Sequence, residues 1–145
     1  MRILGLDYGS KRIGVAVCDE LGITARGLAT ITRKNRRHDL EEIARFIRTY
    51  AVEKIVIGYP IRLDGTEGIQ CDKINKFAQL LESAFSLPVI KWDETLTTKE
   101  AEEILILSNM PRERRKSEID KLAAGLILQG YLDSQGRYEK EKNDP

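Results

Sequence analysis

The sequence predicts an α/β fold with a mixed five-stranded sheet, its first three strands an antiparallel meander, and helices on both faces. Three observations predict it. Apolar runs at 3–6, 13–17 and 23–32 succeed one another across turns with no helical stretch between them, as consecutive antiparallel strands do. Two further apolar runs, 54–59 and 89–92, alternate with stretches of helical periodicity. At 145 residues the chain is expected to form one domain, burying roughly two thirds of its unfolded surface.

The first run ends in Asp7 and breaks into a turn with Gly9 before the second run begins, which reads as a hairpin. A carboxylate at the tip of a buried strand loses hydration, so it needs a cation, a donor cluster or a proton. Near neutral pH a metal ion is the expected companion. Asp19 to Gly22 make a turn into the third strand, and a basic loop at 33–37 follows. Asp39 fits an N-cap with Glu42 three residues on. Leu40, Ile43, Ala44, Ile47 and Tyr50 recur at helical spacing, which predicts a helix over 40–51.

Pro60 closes the fourth strand, and a polar loop through Asp64 and Gly65 leads to a helix over 70–85 that buries Ile74, Phe77, Ala78 and Leu81. The fifth strand ends in Asp93 and Glu94. Thr97 with Glu100 caps a helix at 98–109, which Met110-Pro111 ends. The last helix is predicted over 117–133, with Ile119, Leu122, Ala123, Leu126 and Ile127 on its apolar side. Residues 1–133 are thus expected as one domain, and 134–145 as a polar, flexible tail. Tyr59, Phe77 and Trp92 sit in apolar runs and are expected in the core. His38 is given no role.

Composition excludes several function classes. No run of about eighteen apolar residues exists to span a membrane, and no basic region precedes a long apolar stretch as in a secretory signal. Cys18 and Cys71 lie far apart, and with one histidine in the chain they cannot make a zinc site. They are expected as reduced thiols in a cytoplasmic protein. A net charge of +1 is silent on nucleic acid, but the clusters at 33–37 and 112–116 are strongly basic.

Three places put acids where burial is expected: Asp7, the pair Asp93-Glu94, and Asp120 on the last helix. Ligand sites in α/β sheets gather at the carboxyl ends of parallel strands. If the first, fourth and fifth strands are parallel, Asp7 and Asp93-Glu94 share that edge. Asp120 lies a helical turn from Ala123 and Ala124, with Gly125 next, small residues that let a helix approach the sheet. Competing structural readings exist: Asp7 as a turn-former, Asp93 as a surface residue, and Asp120 as a dipole partner in a helix capped by Ser117.

Carboxylates converging without a histidine or zinc set describe a hard-cation site, for Mg²⁺ or Mn²⁺. Such ions activate water and steady the leaving oxygen in phosphodiester cleavage. Lys11, Arg12, Arg112, Arg114, Arg115 and Lys116 would hold flanking phosphates. A phosphotransfer reading starts from the same Asp7-x-Gly9 hairpin, but there is one copy of it and no Gly-x-x-x-x-Gly-Lys-Ser/Thr loop.

The stretch from Leu4 to Ala16, with Asp7, Gly9, Lys11, Arg12 and Gly14, resembles the opening motif of the YqgF/RuvX family. Gly58-Tyr59-Pro60 with Asp64-Gly65, Asp93-Glu94 with Leu96-Thr97-Thr98, and Lys116 to Asp120 with Ala123-Ala124 and Ile127-Leu128-Gln129 match later motifs in order. The resemblance implies an RNase H-like fold and an endonuclease, either a Holliday-junction resolvase homologue or a nuclease maturing the 5′ end of 16S ribosomal RNA. It places the acids on Asp7, Glu94 (with Asp93 beside it) and Asp120. Three positions depart from the family pattern: Thr95 replaces an arginine, Tyr59 a leucine and Cys18 a serine. The missing guanidinium keeps open a non-catalytic RNA-binding factor in ribosome assembly. The resulting expectation is a cytoplasmic Mg²⁺-dependent nuclease on structured RNA or branched DNA, ribosomal-RNA processing ranking ahead of junction resolution. A homodimer is expected for a resolvase, which cuts two strands symmetrically.

Overall fold

Alternation decides how the N-terminal hairpin lies: Leu4 and Leu6 enter one core and Ile3 the other, so the strand is covered on both sides. A computed structural model describes the backbone of residues 1–60, 68–93 and 97–143, and the side chains of 1–60, 68–93 and 100–136. Strands β1 (Arg2–Tyr8), β2 (Arg12–Cys18) and β3 (Ala25–Thr32) form the antiparallel meander. Helix α1 (Arg36–Tyr50), β4 (Val52–Tyr59), α2 (Ile69–Phe85), β5 (Val89–Asp93), α3 (Thr97–Leu107) and α4 (Arg112–Asn143) follow.

The sheet order is β3-β2-β1-β4-β5, with β4 parallel to both β1 and β5. The mixed sheet expected from the apolar runs is therefore present. On one face Ile43 of α1 and Ile74, Phe77 and Leu81 of α2 pack over Leu4, Leu6, Ile55 and Ile57. On the other, Ala124, Ile127, Leu128 and Tyr131 of α4 pack over Ile3, Ala16 and Val56. Among the described residues no helix is long and apolar enough to cross a membrane. Cys18 and Cys71 are buried free thiols.

Two helix starts differ from the sequence expectation. Asn35, rather than Asp39, caps α1: its side chain accepts from the His38 N–H at 2.8 Å, which starts the helix at Arg36. Asp39 instead lies 2% exposed inside the first turn, accepting from Arg33 Nε at 3.3 Å and the Lys34 N–H at 3.2 Å. Helix α4 starts at Arg112, because the Pro111 carbonyl accepts from the N–H groups of Arg114 and Arg115 at 3.0 and 3.1 Å. Ser117 is consequently interior, its hydroxyl donating to the Arg114 carbonyl at 3.3 Å, and is no cap. The α4 backbone also continues through 134–143, where six of the ten residues are Gln, Glu, Lys or Arg, good helix formers that outweigh Gly136, and there is no proline.

The turn before β3 is held by Asp19, whose carboxylate accepts from the Ile23 N–H at 2.8 Å. That bond keeps the Asp19 carboxyl below its ordinary value. A depressed folded-state pKa stabilises above the ordinary carboxylate range, and the contribution is lost as pH falls through the lowered value. Asp19→Ala is accordingly expected to narrow the difference in melting temperature between neutral and acidic pH; an unaltered pH profile would refute that role for the turn.

Candidate active site

The pleat assigns each acid to a face. Asp7 is directly opposite Gly14 in the β1–β2 ladder, and directly opposed residues project to the same side. A Cβ built on Gly14 would lie 1.9 Å from the carbonyl oxygen of Asp120. The backbone of α4 therefore rests on β2 at the residue facing Asp7. Gly5, two residues before Asp7, sits against the same helix, a Cβ there falling 2.8 Å from Leu128 Cβ. Asp7 and Asp120 are thus brought to one face at the carboxyl end of β1.

Asp120 has a side chain 13% exposed and accepts from Arg12 Nε at 2.6 Å. A short charge-assisted bond of this kind fixes the carboxylate's direction. The rest of α4 is pinned further along. Gln129 accepts from the Ala25 N–H and donates to the Ile23 carbonyl, both at 2.9 Å, and Thr30 donates to the Ser117 carbonyl at 2.6 Å. These bonds set the register of α4 over β3, and hence the position of Asp120.

Asp93 shares the edge but not the face. Leu6 pairs with Ile57, Ile57 with Lys91, and Tyr59 with Asp93, so the end of β5 is level with the end of β1. Tyr59 belongs to the core under α1 and α2, and Lys91 reaches Asn75 of α2 at 2.8 Å. Asp93 follows that alternation and is exposed on the α2 side. Trp92 turns the other way, edge-on to Tyr131 of α4 at 5.8 Å. Glu94 and Thr95 lie outside the described residues, as do Asp64 and Gly65. Among the described residues no cluster of three or more His, Cys, Asp or Glu gathers. Asp7 and Asp120 are the described acids that share a face.

The expected phosphate-binding residues divide in two. Lys11 is exposed at the hairpin turn, and Arg112, Arg114 and Lys116 are exposed on the first turns of α4. Arg115 is partly buried, with an Nε that has no hydrogen-bond partner among the described residues. Arg12, by contrast, is committed to Asp120. Reasoning from sequence missed that pairing and the part played by Gly14. A glycine inside a strand does signal close backbone approach, but nothing in the sequence says which helix approaches.

A family profile described as RuvX, Holliday junction resolvase, matches residues 1–134. A protein of Syntrophus aciditrophicus is 66% identical over 134 residues, 92% of this chain and 89% of its own length. One from Halothermothrix orenii is 48% identical over 137 residues, 94% and 98% of the two chains. Both carry the description "Putative pre-16S rRNA nuclease". In fold, the chain resembles the RuvC of Thermus thermophilus solved with a Holliday junction, at a TM-score of 0.56 and 14% identity over 93% of this chain and 95% of that one. It also resembles the fowlpox virus resolvase solved with junction DNA, at a TM-score of 0.58 and 16% identity over 93% and 99% of the two chains. The fold is that of the RuvC-like, RNase H-like nucleases, and the chain belongs to the RuvX family.

Proposed function

We propose that this chain is a metal-dependent endonuclease that trims the 5′ end of pre-16S ribosomal RNA. The observation that carries the proposal is the convergence of Asp7 and Asp120 on one sheet face through the contact at Gly14. Relatives described as pre-16S ribosomal RNA nucleases match across nearly their whole length and support the substrate.

Hard oxygen donors without histidine or thiolate suit Mg²⁺ or Mn²⁺. Asp7 and Asp120 would hold the ion, with Glu94, next in sequence to Asp93, as third carboxylate. Bound there, a divalent cation supplies the Lewis acidity that activates water and steadies charge on the leaving oxygen. Arg12 orients Asp120. Lys11, Arg112, Arg114 and Lys116 neutralise phosphates on either side of the cut, and the Arg115 Nε–H, unpaired among the described residues, is a further donor toward an anion.

The deciding experiment incubates the protein with a pre-16S fragment and with a four-way DNA junction, with and without Mg²⁺. Cleavage of the RNA only with Mg²⁺ is the expected result. Cutting of the junction alone would replace this reading with junction resolution, and metal-independent cutting would remove the cation from it.

Arg12 gives a test that needs no turnover. The guanidinium is the counter-charge of Asp120, so Arg12→Gln is expected to lower stability in chelator by about 1–2 kcal/mol. A cation that binds the folded state raises stability according to its affinity. With Arg12 no longer competing for the carboxylate, Mg²⁺ should raise the melting temperature more in the variant than in the wild type. An equal rise would take Asp120 out of the metal site, and a smaller one would mean that Arg12 positions the carboxylate for the ion rather than competing with it.

A further inference from the structure

On the opposite side of the sheet from Asp7, a cleft of about 670 Å³ opens between the start of α1 and the exposed flank of α2. Its walls carry five cations, Arg33, Lys34, Arg36, Lys73 and Lys76, against a single carboxylate, Asp39. In a chain whose net charge is only +1, that is a strong local excess of positive charge. Asp39 does not offset it for a ligand, being buried and already accepting from Arg33 and the Lys34 N–H. Lys34, Arg36, Lys73 and Lys76 are exposed, and none of them is paired with a carboxylate among the described residues. Unpaired cations lining a concavity focus an attractive field on anions.

The floor of the cleft is ordered and partly aromatic. Tyr8 and Phe77 stack with centroids 4.5 Å apart, and the Arg33 guanidinium lies 4.6 Å over the Tyr8 ring. Arg33 is held there by donating to the Gly9 carbonyl at 2.9 Å and to Asp39 at 3.3 Å. A planar guanidinium fixed on an aromatic ring is a surface on which nucleobases stack. The first N–H groups of α1 add the positive end of a helix dipole beside Lys34 and Arg36. Tyr8 lines this cleft while Asp7, its neighbour, projects to the other face, so the two sites flank the hairpin turn on opposite faces of the sheet.

We infer that this cleft is a second nucleic-acid subsite, taking the single-stranded RNA segment that flanks the cut and passes over the hairpin turn from the Asp7 face. The identity of the strand rests on the nuclease reading above; the affinity for single-stranded phosphate backbone does not. Cations grip the backbone, and the Arg33–Tyr8 platform accepts any base, so binding is strong in low salt and indifferent to sequence.

The test uses a fluorescent oligouridylate, measured by anisotropy across a salt series, with the wild type and with Lys73→Ala/Lys76→Ala. Both residues are exposed on α2, where alanine is the better helix former. Losing two phosphate contacts should reduce the slope of log affinity against log salt by about 1.4, or roughly 25-fold in affinity at ~0.1 M salt. On a cleavable RNA with a single-stranded flank the variant should show a raised KM and unchanged kcat. A substrate lacking the flank should be cut as by wild type. Unchanged oligouridylate affinity in the double variant overturns the proposal, as does failure of the wild type to bind. Failure of the wild type to cleave any RNA would overturn the nuclease reading while the anisotropy series still decides the cleft.

Discussion

Asp7→Asn is expected to lower Mg²⁺-dependent cleavage by on the order of 10³-fold or more while leaving the fold and melting temperature close to wild type. The magnitude follows from the part assigned to the carboxylate. A cation that neutralises developing charge contributes several kcal/mol to the transition state, and each 1.36 kcal/mol is about tenfold in rate. An amide of nearly the same shape keeps one oxygen donor but loses the charge that holds the ion. The fold survives because Asp7 sits half-buried at the end of β1, beyond the residues that fill the two cores. Cleavage assays across a Mg²⁺ and Mn²⁺ titration, with circular dichroism of the same preparation, check both halves. A folded Asp7→Asn protein that cleaves at the wild-type rate would remove Asp7 from the chemistry. One that recovers at high metal concentration would keep it there as a ligand whose affinity has dropped.

The sheet was legible because each strand announces itself locally. The runs at 3–6 and 13–17 are too short for helices and are punctuated by Gly9, and the run at 54–59 stops at Pro60, so the antiparallel meander and the mixed character of the sheet followed from connection lengths, while the parallel pairing of β1, β4 and β5 entered only as a condition. The acid-bearing edge followed from the same reasoning, since Asp7 and Asp93 do end level strands. Faces were harder. Whether Asp93 points with Asp7 or away from it depends on the pairing phase of β4 and β5, and a shift of one residue reverses the answer. The sequence carries the alternation of each strand but not the phase between strands.

Helix boundaries failed for a different reason. Asp39 and Ser117 are both good capping residues followed at three by Glu42 and Asp120, and local chemistry alone cannot reject them. Asn35 and Pro111 win because they stand earlier and the intervening basic residues are strong helix formers that extend the helix back to them. The displaced Ser117 matters for function. With the helix starting at Arg112, Asp120 is two turns inside α4, too far from the positive end to serve as a dipole partner. Its described partner is Arg12. The tight approach that rests it on β2 comes from glycines of the sheet meeting the fully buried Ala123 and Ala124 of the helix, as the small residues predicted; Gly125 adds little, since a Cβ there would meet only Gly27 N at 3.8 Å.

Gly14→Ala is therefore expected to be the most damaging methyl group among Gly5, Gly9, Gly14, Gly27 and Gly125. Its Cβ would lie 1.9 Å from the Asp120 carbonyl oxygen and 2.5 Å from the carbonyl carbon. Ordinary contact needs about 3.5 Å, so α4 must retreat by roughly 1.5 Å at this point. The obstacle is backbone, so no rotamer change relieves it. Overpacking of this kind costs about 3 kcal/mol, which lowers the melting temperature by about 9 °C for a chain of this size. Cleavage should fall further than stability implies, because moving Asp120 away from Asp7 disturbs the geometry that holds the ion, and a displacement of ~1 Å costs roughly 10²-fold. Gly5→Ala is the control. Its Cβ would meet Leu128 Cβ at 2.8 Å, two helical turns from Asp120, so it loosens the same helix without pressing on the acid. Measured at a temperature where both variants are folded, Gly14→Ala should lose activity about tenfold or more beyond Gly5→Ala. Equal losses would mean that general loosening of α4, not the placement of Asp120, controls the rate. A Gly14→Ala protein with wild-type melting temperature and cleavage would show that α4 does not rest on β2 there at all.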